Sequence, residues 1–362
     1  MSGGTPALDL DDLDGFARLD SLDVLGAVER FPHQCREAWV IGGTARGLPD
    51  AMDLSAVVVL GMGGSGLVGD VVQSVVEPRL PIPFRTIKGY GPLPEWVGRN
   101  TLVFAVSYSG DTEETLAAFG EAQERGARMV ALSCGGKLAA AATESGVAHL
   151  RVPPGLQPRA SLGFMTLPLL AALERMELIP TLDEDLQEAL GVLDSLAARC
   201  ERGRSRSENP AKDLAARIAG LVPVVYGAQG PAATAAYRFK CDLNEYGKTP
   251  AFWHYLPELD HNEIVGWGQL SDLTSKRFVA VLLRDTNEHP RIALRFDVTR
   301  ELIAPKLADV VEVRAEGESS LARILSLVLV TQLAAIYVGL AYGVDPGPVD
   351  VIQELKSELA HR

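Results

Sequence analysis

Short apolar runs alternate with longer amphipathic stretches along most of this chain. Ala56–Leu60 is an apolar, β-rich run that ends in glycine, and Thr101–Val106 and Arg128–Leu132 repeat its character. Helical stretches lie between and after them, including Thr112–Ala127 with Glu113, Glu114 and Glu121 as its surface charges. Strand–loop–helix repetition of this kind predicts a parallel sheet with helices on both faces. Ser161–Met176 and Glu184–Arg199 read as further helices. The polar and charged segment Arg202–Pro210 separates two apolar regions and marks a domain junction. The pattern then resumes with a strand at Val222–Tyr226. Pro231 opens a helix that runs to about Tyr246 and is closed by Gly247, and Phe278–Leu283 and Val310–Val313 supply more strands. The second half is a rough copy of the first. This gives an α/β chain of two doubly wound domains, residues 43–180 and 211–345. A helical N-terminal extension (1–42), a helix and linker (181–210) and a C-terminal helical tail (346–362) complete it.

The composition agrees with that architecture. At 362 residues, 47% hydrophobic and 22% charged, the chain is a packed globular protein of about two domains, which sets aside disorder, collagen-like repeats and coiled coils. A net charge of −13 argues against broad electrostatic attraction to nucleic acid or an anionic membrane, but not against a small anion held by amides and hydroxyls. Cys35, Cys134, Cys200 and Cys241 are widely spaced with no C-x-x-C pair, so a reducing cytoplasm is the expected compartment. The acidic N-terminus, with Asp9, Asp11, Asp12 and Asp14, lacks the basic and apolar regions of a signal peptide. Ile324–Val344 is uncharged and long enough to span a membrane. It stands alone and contains Ser326, Thr331, Gln332, Tyr337 and Tyr342, so it reads as a buried core or interface helix.

Two loops carry chemistry. Gly61-Met-Gly-Gly-Ser-Gly66 follows the first strand and fits the glycine fingerprint of dinucleotide-binding proteins. That reading needs an acidic residue about twenty positions on, at the end of the next strand. The corresponding strand, Pro83–Ile87, runs into Lys88 and Gly89 instead. The second loop, Ser107-Tyr-Ser-Gly-Asp-Thr112, places three hydroxyls and a glycine between a parallel strand and a helix N-terminus, where unpaired amides and the helix dipole attract an anion. Ser and Thr at one helix start are ordinarily caps. Two such loops on successive strands of one sheet instead predict a phosphate site formed by Gly63, Gly64, Ser65, Ser107, Ser109 and Thr112.

This pair of loops resembles the sugar isomerase (SIS) domain family. Pro158-Arg-Ala-Ser-Leu-Gly163, Asn209-Pro-Ala-Lys212, Asn244-Glu245, His261-Asn262 and Leu355-Lys356 follow in the order seen in bifunctional phosphoglucose/phosphomannose isomerases, which are built from two SIS domains. The match runs from about residue 50 to the end. The resemblance implies aldose–ketose isomerisation, in which a proton moves between C1 and C2 through an enediol. It makes Glu245 the proton-transfer base, His261 the ring-opening residue, Arg159 the cation beside the enediolate and Lys356 a lysine lining the site. Glu245 lies at the predicted C-terminal end of its helix, where the dipole disfavours a carboxylate and suits it to act as a base near neutrality. The resemblance also implies a homodimer in which the histidine of one subunit completes the site of the other.

A metal centre built from His254, Glu258 and His261 is the competing arrangement. Pro257 interrupts the helical face those spacings would need, and acid–base groups suffice for the chemistry, so neither metal nor other cofactor is expected. In the second half, Arg284-Asp-Thr-Asn-Glu288 stands where the first domain has its serine loop. Its acidic groups would repel a phosphate, so one phosphate site per chain is expected. A non-catalytic SIS module that senses a phosphosugar would need only the loops; retention of Glu245, His261, Arg159 and Lys356 together favours the enzyme. One departure is in the C-terminal loop, Asp345-Pro-Gly-Pro348. Gly347 stands near the position where family members with dual use often carry a threonine.

Overall fold

The computed structural model describes residues 9–361 and divides into two compact units. One consists of Arg30–Asp194 with Gly317–Ile324; the other consists of residues 9–29, Ser195–Glu316 and residues 325–361. In chain order, α1 (Leu13–Leu19), α2 (Val24–Glu29) and α3 (Phe31–Gly43) precede β1 (Ala56–Leu60), α4 (Gly63–Val76), β2 (Phe84–Ile87) and β3 (Thr101–Val106). Then come α5 (Glu113–Glu124), β4 (Arg128–Ser133), α6 (Gly136–Glu144), β5 (Ala148–Arg151), α7 (Leu162–Arg175) and α8 (Asp183–Arg199). The chain continues through α9 (Pro210–Ile218), β6 (Val222–Ala228), α10 (Pro231–Glu245), β7 (Phe252–Leu256), α11 (Glu263–Gly266), α12 (Ser271–Arg277) and β8 (Phe278–Arg284). It ends with α13 (Pro290–Ile303), β9 (Asp309–Arg314), α14 (Ser320–Ala341) and α15 (Asp350–His361).

Each unit has a wholly parallel sheet, ordered β2-β1-β3-β4-β5 in the first and β7-β6-β8-β9 in the second. Every residue of β1 and β3 is buried, because helices cover both faces of such a sheet, and this accounts for their unbroken apolar runs. Two strands were not legible in the sequence. β5 reads Ala-His-Leu-Arg and β7 reads Phe-Trp-His-Tyr-Leu; both are edge strands with a partly exposed, polar or aromatic pattern. β2 fixes which strands are neighbours. It follows β1 in sequence but goes to the sheet edge, so the strands that carry the two loops are neighbours, with Leu60 opposite Ala105.

The long apolar stretch forms α14, and its apolar window is entirely buried. Gln332 Nε2 donates to Tyr246 Oη at 3.2 Å, and the Tyr337 ring packs against Phe16 at 5.7 Å between centroids. Of the two readings of this stretch, a core helix or an interface helix, the structure supports the first: the helix is covered by the chain's own residues.

The N-terminal residues of the second unit are tied down by a buried lysine. Lys212 is 1% exposed, and its ammonium donates to Asp11 Oδ1 (3.0 Å), Arg202 O (2.9 Å) and Arg204 O (2.7 Å) while lying over the rings of Phe16 and Tyr337. Asn209 starts the same helix, accepting from the N–H groups of Ala211 and Lys212, both at 3.0 Å. The Asn209–Lys212 motif is thus an anchoring device.

Candidate active site

The loops after β1 and β3 meet where the strand order reverses. The connection from β1 leads to β2 on one side, and that from β3 leads to β4 on the other, which makes the C-terminal ends of β1 and β3 the place where open parallel sheets take their ligands. Ser65, in the first turn of α4, accepts from the Tyr108 N–H at 3.3 Å, joining the two loops directly. Ser107 is fully buried; its Oγ accepts from the Gly110 N–H at 3.1 Å and lies 2.8 Å from Thr112 Oγ1. Thr112 occupies the N-cap position of α5, but its side chain makes no capping bond. Its hydroxyl turns to Ser107, leaving the first amides of α5 to another acceptor. Ser109 is exposed at the tip, accepting from the Asp111 N–H at 3.2 Å.

At position 110 geometry requires glycine. Gly110 has φ +78°, and a Cβ on it would overlap the carbonyl oxygen of Gly135. Gly64 presents bare backbone to the Arg159 segment: a Cβ there would lie 3.7 Å from Arg159 Cα. Arg159 sits on the 3-10 turn Pro158–Ala160 and is only 4% exposed, so it is no surface ion-pair residue. Tyr108, which no sequence motif singles out, holds this segment in place. Its hydroxyl donates to Pro153 O (2.9 Å) and accepts from the Leu156 N–H (3.0 Å). Burial raises its pKa and keeps the proton needed for that donation. Lys88, where a dinucleotide protein needs an acid, is instead 2.5 Å from Asp70 of α4. Ser65, Ser107, Ser109, Thr112 and the Arg159 segment are thus brought together in one unit.

Glu245, His261 and Lys356 belong to the other unit. Glu245 is the last residue of α10, half-buried beside a cavity of about 550 Å³ lined also by Asn244, Lys248, Thr249, Val349 and Ile352. Lys248 donates to the carbonyls of Glu245 (2.6 Å) and Pro348, and Asn244 Nδ2 donates to Thr249 O at 2.9 Å. These bonds fix the backbone at the helix end. One and two turns earlier on the helix, Arg238 and Asp242 form a buried pair at 2.7 Å.

His261 ends the 3-10 turn Glu258–His261 and is exposed, while both its flanks are anchored. Asp260 accepts from Arg295 (2.8 Å) and Thr299 (2.9 Å) of α13, and Glu263 accepts from Tyr226 Oη at 2.5 Å. Burial and the Glu263 carboxylate both raise the pKa of the Tyr226 phenol, so it stays a donor. No local motif announces these anchors, because their partners are 35 to 39 residues away in sequence. His254, Glu258 and His261 do not share a helical face: His254 is on β7, where Nδ1 accepts from the Tyr255 N–H, and Glu258 accepts from Asn262. Lys356 is exposed on α15. Gly347 packs against Leu22, whose side-chain atoms lie 3.0–3.1 Å from where a Cβ would stand.

The second sheet ends differently. After β8, Arg284 is 5% exposed, pairs with Glu288 at 2.7 Å and lies 4.5 Å from the centroid of the Phe296 ring. Asp297 of α13 and Glu312 of β9 complete the cluster at 3.4 Å each, so carboxylates from the loop and its neighbours surround Arg284.

Residues 207–359 match the family described as the bacterial phospho-glucose isomerase C-terminal SIS domain, and residues 55–171 match the SIS domain family. A bifunctional phosphoglucose/phosphomannose isomerase of Caldicellulosiruptor bescii is 36% identical over 92% of this chain and 98% of its own. The protein of the same name from Aquifex aeolicus is 38% identical over 86% of this chain and 92% of its own. A glucose-6-phosphate isomerase like protein from Thermus thermophilus shares the fold, with a TM-score of 0.61, 21% identity, and coverage of 97% of this chain and 99% of the other. Two parallel SIS sheets, the paired loops and this extent of likeness lead to one conclusion: the chain belongs to the bifunctional phosphoglucose/phosphomannose isomerase family.

Proposed function

We propose that the chain interconverts glucose 6-phosphate and mannose 6-phosphate with fructose 6-phosphate by enediol proton transfer. The observation that carries this reading is the Tyr108–Ser65 bond, which joins two hydroxyl-bearing loops at the sheet's switch point. In this reading Gly63, Gly64, Ser65, Ser107, Ser109 and Thr112 hold the substrate phosphate. Hydroxyls and helix-start amides supply the donors, so no broad positive field is required. Glu245 takes the proton from C2 of the open-chain aldose and returns it to C1, His261 moves the proton that opens the ring, and Arg159 balances the enediolate charge. Lys356 lines the same site. Acid–base groups carry every step, and no cofactor is called for.

The anchored but exposed His261 suits a residue given to a neighbouring molecule, and we assign the working form as a cytoplasmic homodimer in which His261 acts in the partner's site. A coupled assay tests the activity directly: both aldose 6-phosphates are expected to yield fructose 6-phosphate. Binding of phosphohexoses without turnover of either would leave a phosphosugar sensor instead.

A further inference from the structure

Ten of the seventeen large apolar residues that are exposed among the described residues fall within Val265–Leu302 and Val351–Leu359. Two helices account for most of them. On α13, Leu294, Val298 and Leu302 are 48%, 44% and 59% exposed; on α15, Val351, Leu355 and Leu359 are 79%, 58% and 59% exposed. Both sets recur every four residues, so each forms one continuous stripe along its helix. Residues 351–359 are all exposed, and a helix of about 12 residues with so little packing is marginal in water. Such a helix needs a cover.

We infer that α15 of one subunit packs its stripe onto the α13 stripe of a second copy of this chain, and that symmetry repeats the contact. The inference rests on the homodimer of the preceding reading and specifies its surface. Net charge favours the pair. Helix α13 carries Arg291, Arg295 and Arg300 against Asp297 and Glu301, whereas α15 carries Asp350, Glu354 and Glu358 against Lys356, so the two helices are of opposite net charge and two copies of α15 would repel. The α13 stripe is also continuous with the His261 turn, because Arg295 and Thr299 of that helix hold Asp260. Covering α13 with a second copy therefore brings that copy beside His261. Two symmetric helix pairs make an isologous interface, in which each stripe meets the other and not itself.

The test joins a Leu355→Cys chain with a Val298→Cys chain through a short bismaleimide, with light scattering on the untreated protein to give its oligomeric state. Covalent dimers should form in the mixture and stay at the wild-type background with either variant alone. A dimer in solution with no covalent product in the mixture, or with linkage in the Leu355→Cys chain alone, would overturn the pairing while leaving the dimer intact. A monomer in solution would sink the dimer reading and this pairing together. Independently, Leu355→Asp with Leu359→Asp is expected to raise the dimer dissociation constant by about a hundredfold or more, because two leucines are kept from burial. An unchanged constant is a second way for the pairing to fail.

Discussion

At the residue scale, the serine loop divides into hydroxyls that build and hydroxyls that bind. Ser107 is buried and already serves Gly110 and Thr112, so its loss would disturb the loop itself. Ser109 and Thr112 are more accessible, and replacing both by Ala is expected to weaken phosphosugar binding with the fold intact. Each lost bond to a charged phosphate costs about 1.5–3 kcal/mol, so a dissociation constant raised at least tenfold is expected from calorimetric titration. Unchanged affinity would remove the phosphate from these loops. The hydroxyls could be found in the sequence because they stand together within six residues at a strand–helix junction. Tyr108 and Asp260 could not, since each acts through partners brought close only by folding.

Among the elements, strands flanked on both sides announced themselves, because double-sided burial leaves continuous apolar runs. Of the four edge strands, β2 and β9 were legible but β5 and β7 were not, because His149 and Arg151 in one and His254 among partly exposed aromatics in the other break the apolar run. Helix α9 carries a further lesson. Lys212 looked like a family marker at a linker, yet it is a buried cation whose three acceptors span Asp11 and the Arg202–Arg204 turn. Lys212→Met keeps the length and the ring contacts but removes three charge-assisted bonds. A loss of about 2–4 kcal/mol is expected in a denaturant titration, with Asp11 partly exposed and so partly rehydrated. A change below about 0.5 kcal/mol would mean the knot contributes nothing to holding the N-terminal helices.

For the whole molecule, the decisive question is whether one chain suffices. Mixing Glu245→Gln with His261→Ala under subunit exchange makes half the dimers mixed, each with one site carrying both lesions and one carrying neither. Activity should return to about a quarter of wild type if His261 acts in the partner's site. No recovery, with exchange verified by mass spectrometry, would place both residues in one chain's site. The apolar stretch at residues 324–344 could not settle this point from sequence, because an apolar helix reads the same whether its own core or a partner covers it. Burial assigned it to the core and left α13 and α15 as the exposed apolar surface.

The close approach of Gly110 to Gly135 bears on how this protein can change over generations. The obstacle to a side chain at 110 is a carbonyl oxygen of the main chain, and at Gly136 it is the carbonyl of Ser109. No second substitution elsewhere can shrink a backbone atom, so neither position has a compensating partner. Lineages altering their sugar preference must leave this crossing alone and vary the walls around it. A new anion geometry here would need insertion or deletion rather than a succession of point changes.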